Sequence, residues 1–532
     1  MTSNTRPVTF FPKTDPAESK SLCVGRYVLL LLAFSALAVQ SCVIVGVDYQ
    51  TPGAKTPDAW TRSLQGDVTG RRSSLEKWWN GYNDPTLDQL IERTRSANPN
   101  LKIASQSIAE ARALRGVAQS LLLPSVGGNG SYSRTRSSQT LFAAPPGPNP
   151  SNFYSTGFDA GWEIDVFGGL RRNVEAADAN IETSVENYRD ILVTLFSETA
   201  LNYVEYRTLE ERIRLAAANV QAQQKSVNLA SDRLGAGIAP KIDETQAITN
   251  LETTRAIIPQ LKTELDRTRN RLASLTASNP ATVSKILQRS RGIPMPPRGY
   301  SAGIPVDLLR ARPDVRSAER QLAAQTALIG VAEADLYPRF TLFGDFSLQT
   351  INSGNLFDSA SSAYSFGPAF QWKIFSAGQI RNNIRAEEAR TEQALNNYEN
   401  SILLAVEEVE NSMSSIANGW DRVAILSRAD AAAKETVDLV LDNYTNGLVD
   451  FQRVIDAQRT KFTTEDDLAQ SRGGISQNYI TLYKALGGGS EVELIPVPEA
   501  SVKARGRIFG ASERRPNEPG DINPSADAAS AN

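Results

Sequence analysis

The chain has 532 residues, of which 41% are apolar and 22% charged, and a formal net charge of −3. That balance offers no basic face for nucleic acid, and the complete lack of histidine excludes His-based triads, His-ligated zinc and imidazole proton shuttles. Only Cys23 and Cys42 are present, so neither a disulfide framework nor a metal-thiolate site supports the body of the protein, and no cofactor is expected.

The N-terminus reads as an export signal. Lys20 and Arg26 precede the apolar run Val28–Val39, which is too short for a relaxed membrane span of about 20 residues but suits a signal-peptide core. The run ends Val39-Gln40-Ser41-Cys42, a lipobox-like pattern with Gln40 in place of the usual small residue, and Cys42 is the candidate lipidation site. The signal peptide is placed at 1–41 and an extended leash, Pro/Gly-punctuated and weakly patterned, at 42–82.

Beyond the leash the sequence says nearly the same thing twice. Gly116-Val117-Ala118 with Leu122 and Pro124 recurs as Gly330-Val331-Ala332 with Leu336 and Pro338, an offset of 214. Trp162 and Trp372 recur in matching strand ends, and Gly237 and Gly447 in matching helix breaks, at an offset of 210. Such self-similarity means one structural unit used twice. The first repeat is placed at 83–300, with a strand hairpin at 125–167 and a long helical hairpin at 170–278. The second is placed at 301–489, with a strand hairpin at 338–375 and a helical hairpin at 379–486, and a disordered tail follows at 490–532.

Asp84-Pro85 opens a helix bearing Leu87, Leu90 and Ile91, and a second helix runs from about Asn100 to Leu123. The period then changes to two. Phe158 to Val166, Phe340 to Leu348 and Tyr364 to Ile374 alternate apolar with polar or glycine residues, as a barrel strand with one face to lipid and one to water requires. A half-buried strand of a soluble sheet has the same alternation; the aromatic content and the export signal favour the membrane version. After each hairpin the period becomes helical for about 65 residues, an extent on the order of 100 Å. In the second copy Leu395, Tyr398, Ile402, Ala405, Val409, Met413, Ile416 and Trp420 form one apolar stripe, a packing seam rather than a binding site. Two hairpins supply four strands per chain. An open four-stranded sheet would leave unpaired backbone in hydrocarbon, so several copies must share one barrel.

Several segments, taken together and in order, resemble the TolC/NodT family of outer-membrane efflux proteins, in its lipoprotein, drug-efflux branch. They are Val47-Asp48-Tyr49-Gln50-Thr51-Pro52, Trp78-Trp79, Leu123-Pro124-Ser125-Val126, Trp162 to Arg172, Arg310 to Arg316, Ala334 to Arg339, Asp456-Ala457-Gln458-Arg459 and Leu482 to Gly489. The resemblance implies a mainly α protein with a small β part. It implies a homotrimer with a twelve-stranded transmembrane β-barrel, four strands per chain, over a long α-helical periplasmic barrel. It also implies insertion in outer-membrane lipid, coupling to a periplasmic adaptor and an inner-membrane RND pump, and a passive gated duct that catalyses no reaction. Val43, which is not Asp, fits outer-membrane retention of a lipid on Cys42.

By the same resemblance Asp456 and Arg459 occupy positions at the closed periplasmic end, and Arg453 stands where some relatives carry a second acid. A threefold Asp456 ring would constrict and repel, with Arg459 able to latch it; alternatively Asp456 is a charged residue of a helix's first turns, favoured by the dipole. Gly237 and Gly447 have the plain role of turning the chain and, by resemblance, form tips that meet the adaptor. Arg312, Pro313, Asp314 and Arg316 are assigned a structural cap around the helix that starts the second repeat, with no transport role. The exit duct of a type I protein-secretion system shares this architecture, and a pore-free periplasmic coiled-coil scaffold is the reading from a different class.

Overall fold

The structure, a computed structural model, describes residues 44–53, 60–61, 73–136, 138, 140, 150–289, 292–296 and 309–491. The signal peptide, Cys42, most of the first strand loop, the segment 297–308 and the tail after 491 lie outside the described residues.

Eight helices of more than one turn are described: α1 (Pro85–Ala97), α2 (Pro99–Ser120), α3 (Gly169–Gly235), α4 (Lys241–Leu275), α5 (Pro280–Leu287), α6 (Pro313–Ala334), α7 (Gln379–Thr445) and α8 (Phe451–Ala485). Four of them start with Pro at the first position, where the missing N–H costs nothing. Asp84, Asn98 and Asn279 then cap the N–H groups of Thr86, Asn100 and Ala281, which have no intrahelical partner, at 2.8–2.9 Å. The duplication is literal: α3 and α7 are both 67 residues long, α4 and α8 both 35, and α2 and α6 both 22. At 1.5 Å per residue the long helices reach about 100 Å.

Four strands, β1 (Ser125–Thr135), β2 (Ser151–Ile164), β3 (Arg339–Thr350) and β4 (Ser362–Gln371), form one antiparallel sheet in the order β1-β2-β3-β4. Its central pair, β2–β3, joins the two repeats. Residues 136–150 link β1 to β2 and 351–361 link β3 to β4. That four-residue difference is why the offset falls from 214 before the hairpins to 210 after them. Each sheet end is tied to the helices by a repeated device: Trp162 Nε1 donates to Leu122 O at 2.9 Å, and Trp372 Nε1 to Leu336 O at 3.0 Å. Both carbonyls belong to helix C-termini that have no intrahelical donor left.

The core sits where α1, the turns at 73–82 and the end of α8 meet the long helices. Trp78 stacks on Tyr483 with centroids 4.9 Å apart, and Trp79 meets Phe196 edge-on at 5.1 Å. This corrects the extent of the N-terminal leash: residues 73–82 form a helical turn and a 3₁₀ turn, and Trp78, Trp79 and Tyr82 are buried in the main core. The aromatic side chains gain several kcal/mol by that burial, on the order of 2 each, which an extended solvated leash would forfeit. Gly487-Gly488-Gly489 does more than end α8. A Cβ at Gly488 or Gly489 would come within 2.9 Å of Trp78 or Phe196.

The described part of the leash, 44–53, is also docked. Buried Arg172 donates to Val45 O (3.0 Å), Gly46 O (3.2 Å) and Asp48 Oδ1 (2.7 Å), and Val45 N donates to Phe167 O (3.1 Å). Farther along, Tyr49 Oη and Thr51 Oγ1 both donate to Glu319. Burial and the nearby Glu319 carboxylate push the Tyr49 phenol up to about 12. Arg312 does serve a capping role, though for another helix: its guanidinium donates to Ala485 O at the end of α8 and binds Asp314 and Glu408.

Candidate functional site: the sheet faces and the helical tips

Residues directly opposite in an antiparallel pair share a face. The observed register puts Val126, Phe158, Trp162, Leu342, Phe346, Tyr364, Phe366 and Phe370 on one face of the sheet. The other carries Ser125, Asn129, Ser131, Asp159, Glu163, Thr341, Asp345, Ser347 and Ser365, with Phe153 and Phe343 as apolar exceptions. On the polar face Asn129 Nδ2 donates to Asp159 Oδ1 at 3.1 Å, and Asp159 lies directly opposite Asp345. Like charges in that arrangement repel unless water screens them. The apolar face is bare, with Tyr364, Phe366 and Phe370 each at least 70% exposed, and so are both edges, β1 and β4. Among the described residues no helix is long and apolar enough to cross a membrane.

At the far end the helical hairpins turn at Gly237 and Gly447. Their φ angles are +75° and +74°, and a Cβ on either would meet nothing within 4 Å. Glycine is there for the left-handed backbone, not for space. Both turns close alike: Gly237 N donates to Leu234 O and Ile238 N to Arg233 O; Gly447 N donates to Tyr444 O and Leu448 N to Asn443 O. They leave Ile238 and Leu448 exposed at the tips.

Arg453, Asp456 and Arg459 lie on the first turns of α8, all exposed. Asp450 caps α8 by accepting from Arg453 N at 3.1 Å. Asp456 Oδ1 accepts from Gln452 Nε2 at 2.9 Å, while Arg459 Nε donates to Asn250 Oδ1 of α4 at 3.0 Å. Within one chain, then, Arg459 is held by Asn250, and the acid side chain stays on its own helix. Beneath them Gln458 is buried, donating to Ser226 Oγ at 2.7 Å and accepting from Asn250 Nδ2 at 3.4 Å. Farther along the same seam Asn219 donates to Glu465 at 2.7 Å, and Arg212 grips Asp466 bidentately at 2.7 and 3.0 Å.

Sequence reasoning did not find a second tie at the tips. Arg233 Nη1 of α3 donates to Thr445 O of α7 at 2.9 Å with its guanidinium 4.8 Å from the Tyr444 ring centre, and Tyr444 Oη donates to Asp243 Oδ2 at 3.2 Å. Burial, and next the Asp243 charge, raise the Tyr444 phenol and keep it protonated as a donor. The signal was available in the duplication, because Tyr444 stands where the first repeat has Leu234 and Asp243 where the second has Arg453.

The family model for outer membrane efflux proteins matches residues 90–278 and 304–488. Nodulation protein T of Rhizobium leguminosarum bv. viciae is 28% identical over 479 residues, covering 89% of this chain and 96% of that protein. The toluene efflux pump outer membrane protein TtgI of Pseudomonas putida is 29% identical over 465 residues, 86% of this chain and 98% of its own. Among solved structures the outer-membrane channel OprN superposes with a TM-score of 0.77 at 33% identity, covering 84% of this chain and 99% of that one.

Proposed function

The chain belongs to the outer membrane efflux protein family, and from that premise we propose that three copies close one passive, gated duct carrying small toxic molecules out of the cell. It is an outer-membrane protein, and the proteins it resembles are efflux channels rather than enzymes. The observation that carries the proposal is the sheet, apolar on one face, polar on the other and open at both edges, at one end of helices about 100 Å long. Three copies give about twelve strands, enough to enclose an aqueous lumen where a barrel of about eight is filled by side chains. The long helices continue the wall toward a periplasmic adaptor and an inner-membrane RND pump, which supplies the energy. A nodulation protein and a part of a toluene pump resemble this chain about equally, which favours a cargo chosen upstream by the pump. Cys42 carries the lipid anchor in this reading; Ile44, two residues on, packs against Gly168 at the sheet's base.

The gate is assigned to the α8 end. Three Asp456 carboxylates would face one another across the axis, Arg453 and Arg459 would set the local charge, and the Gly237 and Gly447 turns would meet the adaptor. Gene deletion should sensitise cells across a panel of antibiotics, dyes, metals and phenolics; an unchanged panel would sink the efflux reading. In planar bilayers Asp456→Ala or Arg459→Ala should raise single-channel conductance. Wild-type conductance in both places the gate elsewhere.

A further inference from the structure

α8 has two apolar anchorages with a polar stretch between them. Ile475, Tyr479 and Tyr483 belong to the main core, and Phe451, Val454 and Ile455 to a small cluster at the tips. Between Ile455 and Ile475 no described residue of α8 joins either cluster, and the side chains buried there include Gln458 and Glu465. Here α8 packs against both α7 and α3.

The three helices meet at Glu465. Its carboxylate accepts from Asn219 Nδ2 of α3 at 2.7 Å and from Lys461 Nζ of α8 at 3.3 Å, and lies 3.4 Å from Lys434 Nζ of α7. Lys461 also donates to Asn219 Oδ1 at 3.3 Å, and Lys434 to Asp430 at 2.9 Å. Two carboxylates and two ammonium groups thus balance in one cluster. Glu465 is its most enclosed charge, 7% exposed against 14% for Asp430, 21% for Lys461 and 49% for Lys434. The first repeat does without this device. Where α8 has Lys461 and Glu465, α4 has Leu251, buried, and Arg255, exposed. Where α7 has Asp430 and Lys434, α3 has Val220 and Gln224. α4 packs on α3 all the same, so a hairpin of this length closes without the cluster.

Resting on the assignment of the gate to the α8 end, we propose that Glu465 is a positioning residue of that gate: it fixes α8 between α3 and α7 and thereby fixes where Asp456 stands. Asp456 lies nine residues away, about 14 Å along the same helix. The reason is directional. Glu465 answers donors on three helices at once, so a slide or roll of α8 breaks at least one of those contacts. Apolar contacts would tolerate the same movement. Neutral side chains of similar size can match a buried ion pair in stability without matching its demand for one arrangement.

Single-channel recording of the full-length protein in planar bilayers, with thermal unfolding of the same preparation, tests the assignment. Glu465→Ala strands Lys434 and Lys461, and it should raise the open probability about tenfold, the scale of one lost hydrogen bond to a charged group. It should also lower the unfolding midpoint. Two further variants separate position from stability. Leu251→Ala should lower the midpoint at least as far and conduct like wild type. Lys434→Gln/Lys461→Leu/Glu465→Gln, which gives the second hairpin two residues of the first, should melt near wild type and still leak. Wild-type conductance in Glu465→Ala or in the triple variant overturns the inference, and so does leakage in Leu251→Ala. If Asp456→Ala leaks in that same experiment, the gate reading stands without Glu465. If Glu465→Ala leaks and Asp456→Ala does not, the carboxylate ring falls and the positioning role stands.

Discussion

Gly473 and Gly474 are adjacent on α8, yet alanine should have opposite effects at the two positions. A Cβ on Gly473 would lie 2.2 Å from Thr208 Oγ1 and 3.0 Å from Thr208 Cγ2 of α3, while one on Gly474 would meet nothing within 4 Å. Thr208 cannot swing away cheaply, since its hydroxyl donates to Val204 O at 2.8 Å. Overpacking of this kind costs about 1–3 kcal/mol, against a gain of up to about 1 kcal/mol from replacing a mid-helix glycine by alanine. Gly473→Ala should therefore be net destabilising by about 1–2 kcal/mol, and Gly474→Ala stabilising by up to about 1 kcal/mol. Thermal unfolding of the detergent-purified protein, followed by near-UV circular dichroism, should shift downward for the first and upward for the second. Adding Thr208→Ala to Gly473→Ala should restore part of the loss, because it removes the atoms at 2.2 and 3.0 Å and leaves only the Thr208 Cβ, at 3.1 Å. A Gly473→Ala protein as stable as Gly474→Ala would refute the close approach of α8 to α3, and with it the tight seam inside the chain.

Two further outcomes concern a buried carboxyl and a sheet end. Burial, and next the Asp314 charge, raise the Asp190 carboxyl above its ordinary range. The folded state thus holds that proton longer than the unfolded chain, so stability falls as pH rises from the ordinary carboxylate range, near about 4, through the raised value. Asp190→Asn should be the more stable protein at neutral pH, and the difference should close on acidification; a gap that widens in acid would reverse the assigned sign. Trp372→Phe removes the indole donor from Leu336 O and should cost about 1 kcal/mol, read as a lower unfolding midpoint. A Trp372→Phe protein that melts like wild type would show that water replaces the indole at that helix end.

What could be read from the chain alone was whatever depends on local periodicity. The 67-residue helices were legible because nothing between Gly168 and Gly235, or between Gly378 and Asn446, breaks a period near 3.6, and because glycine stands at each turn. Strand faces were legible because the alternation is strict around Phe158 and, Phe343 aside, holds around Phe346. The docked 44–53 segment was not, since its fit depends on Arg172 of α3 and Gly330 of α6, distant in sequence and adjacent only after folding. The burial of Trp78 escaped for the same reason: its partner is Tyr483, some 400 residues later. At the tips, Asp456 and Arg459 could be named from resemblance, but the partner of Arg459 could not. Asn250 sits on a different helix, and no pattern within α8 points to it.

A duplicated chain need not make equal seams, and here the inequality falls at the helix ends where the gate is proposed. The first repeat has Gln246 and Thr249 where the second has Asp456 and Arg459, so the wall geometry is kept while the charge is confined to one hairpin. Buried polar pairs fix register well even where they add little net stability. The ladder Ser226–Gln458–Asn250–Arg459, continued by Asn219–Glu465 and Arg212–Asp466, therefore holds α8 in one position against α3 and α4. If the gate lies at α8 as proposed, a displacement that widens the helical end has to carry the tip ties Tyr444–Asp243 and Arg233–Thr445 along with their own chain. Each chain would then carry its charged α8 aside as a body, and three Asp456 carboxylates would separate together rather than one at a time.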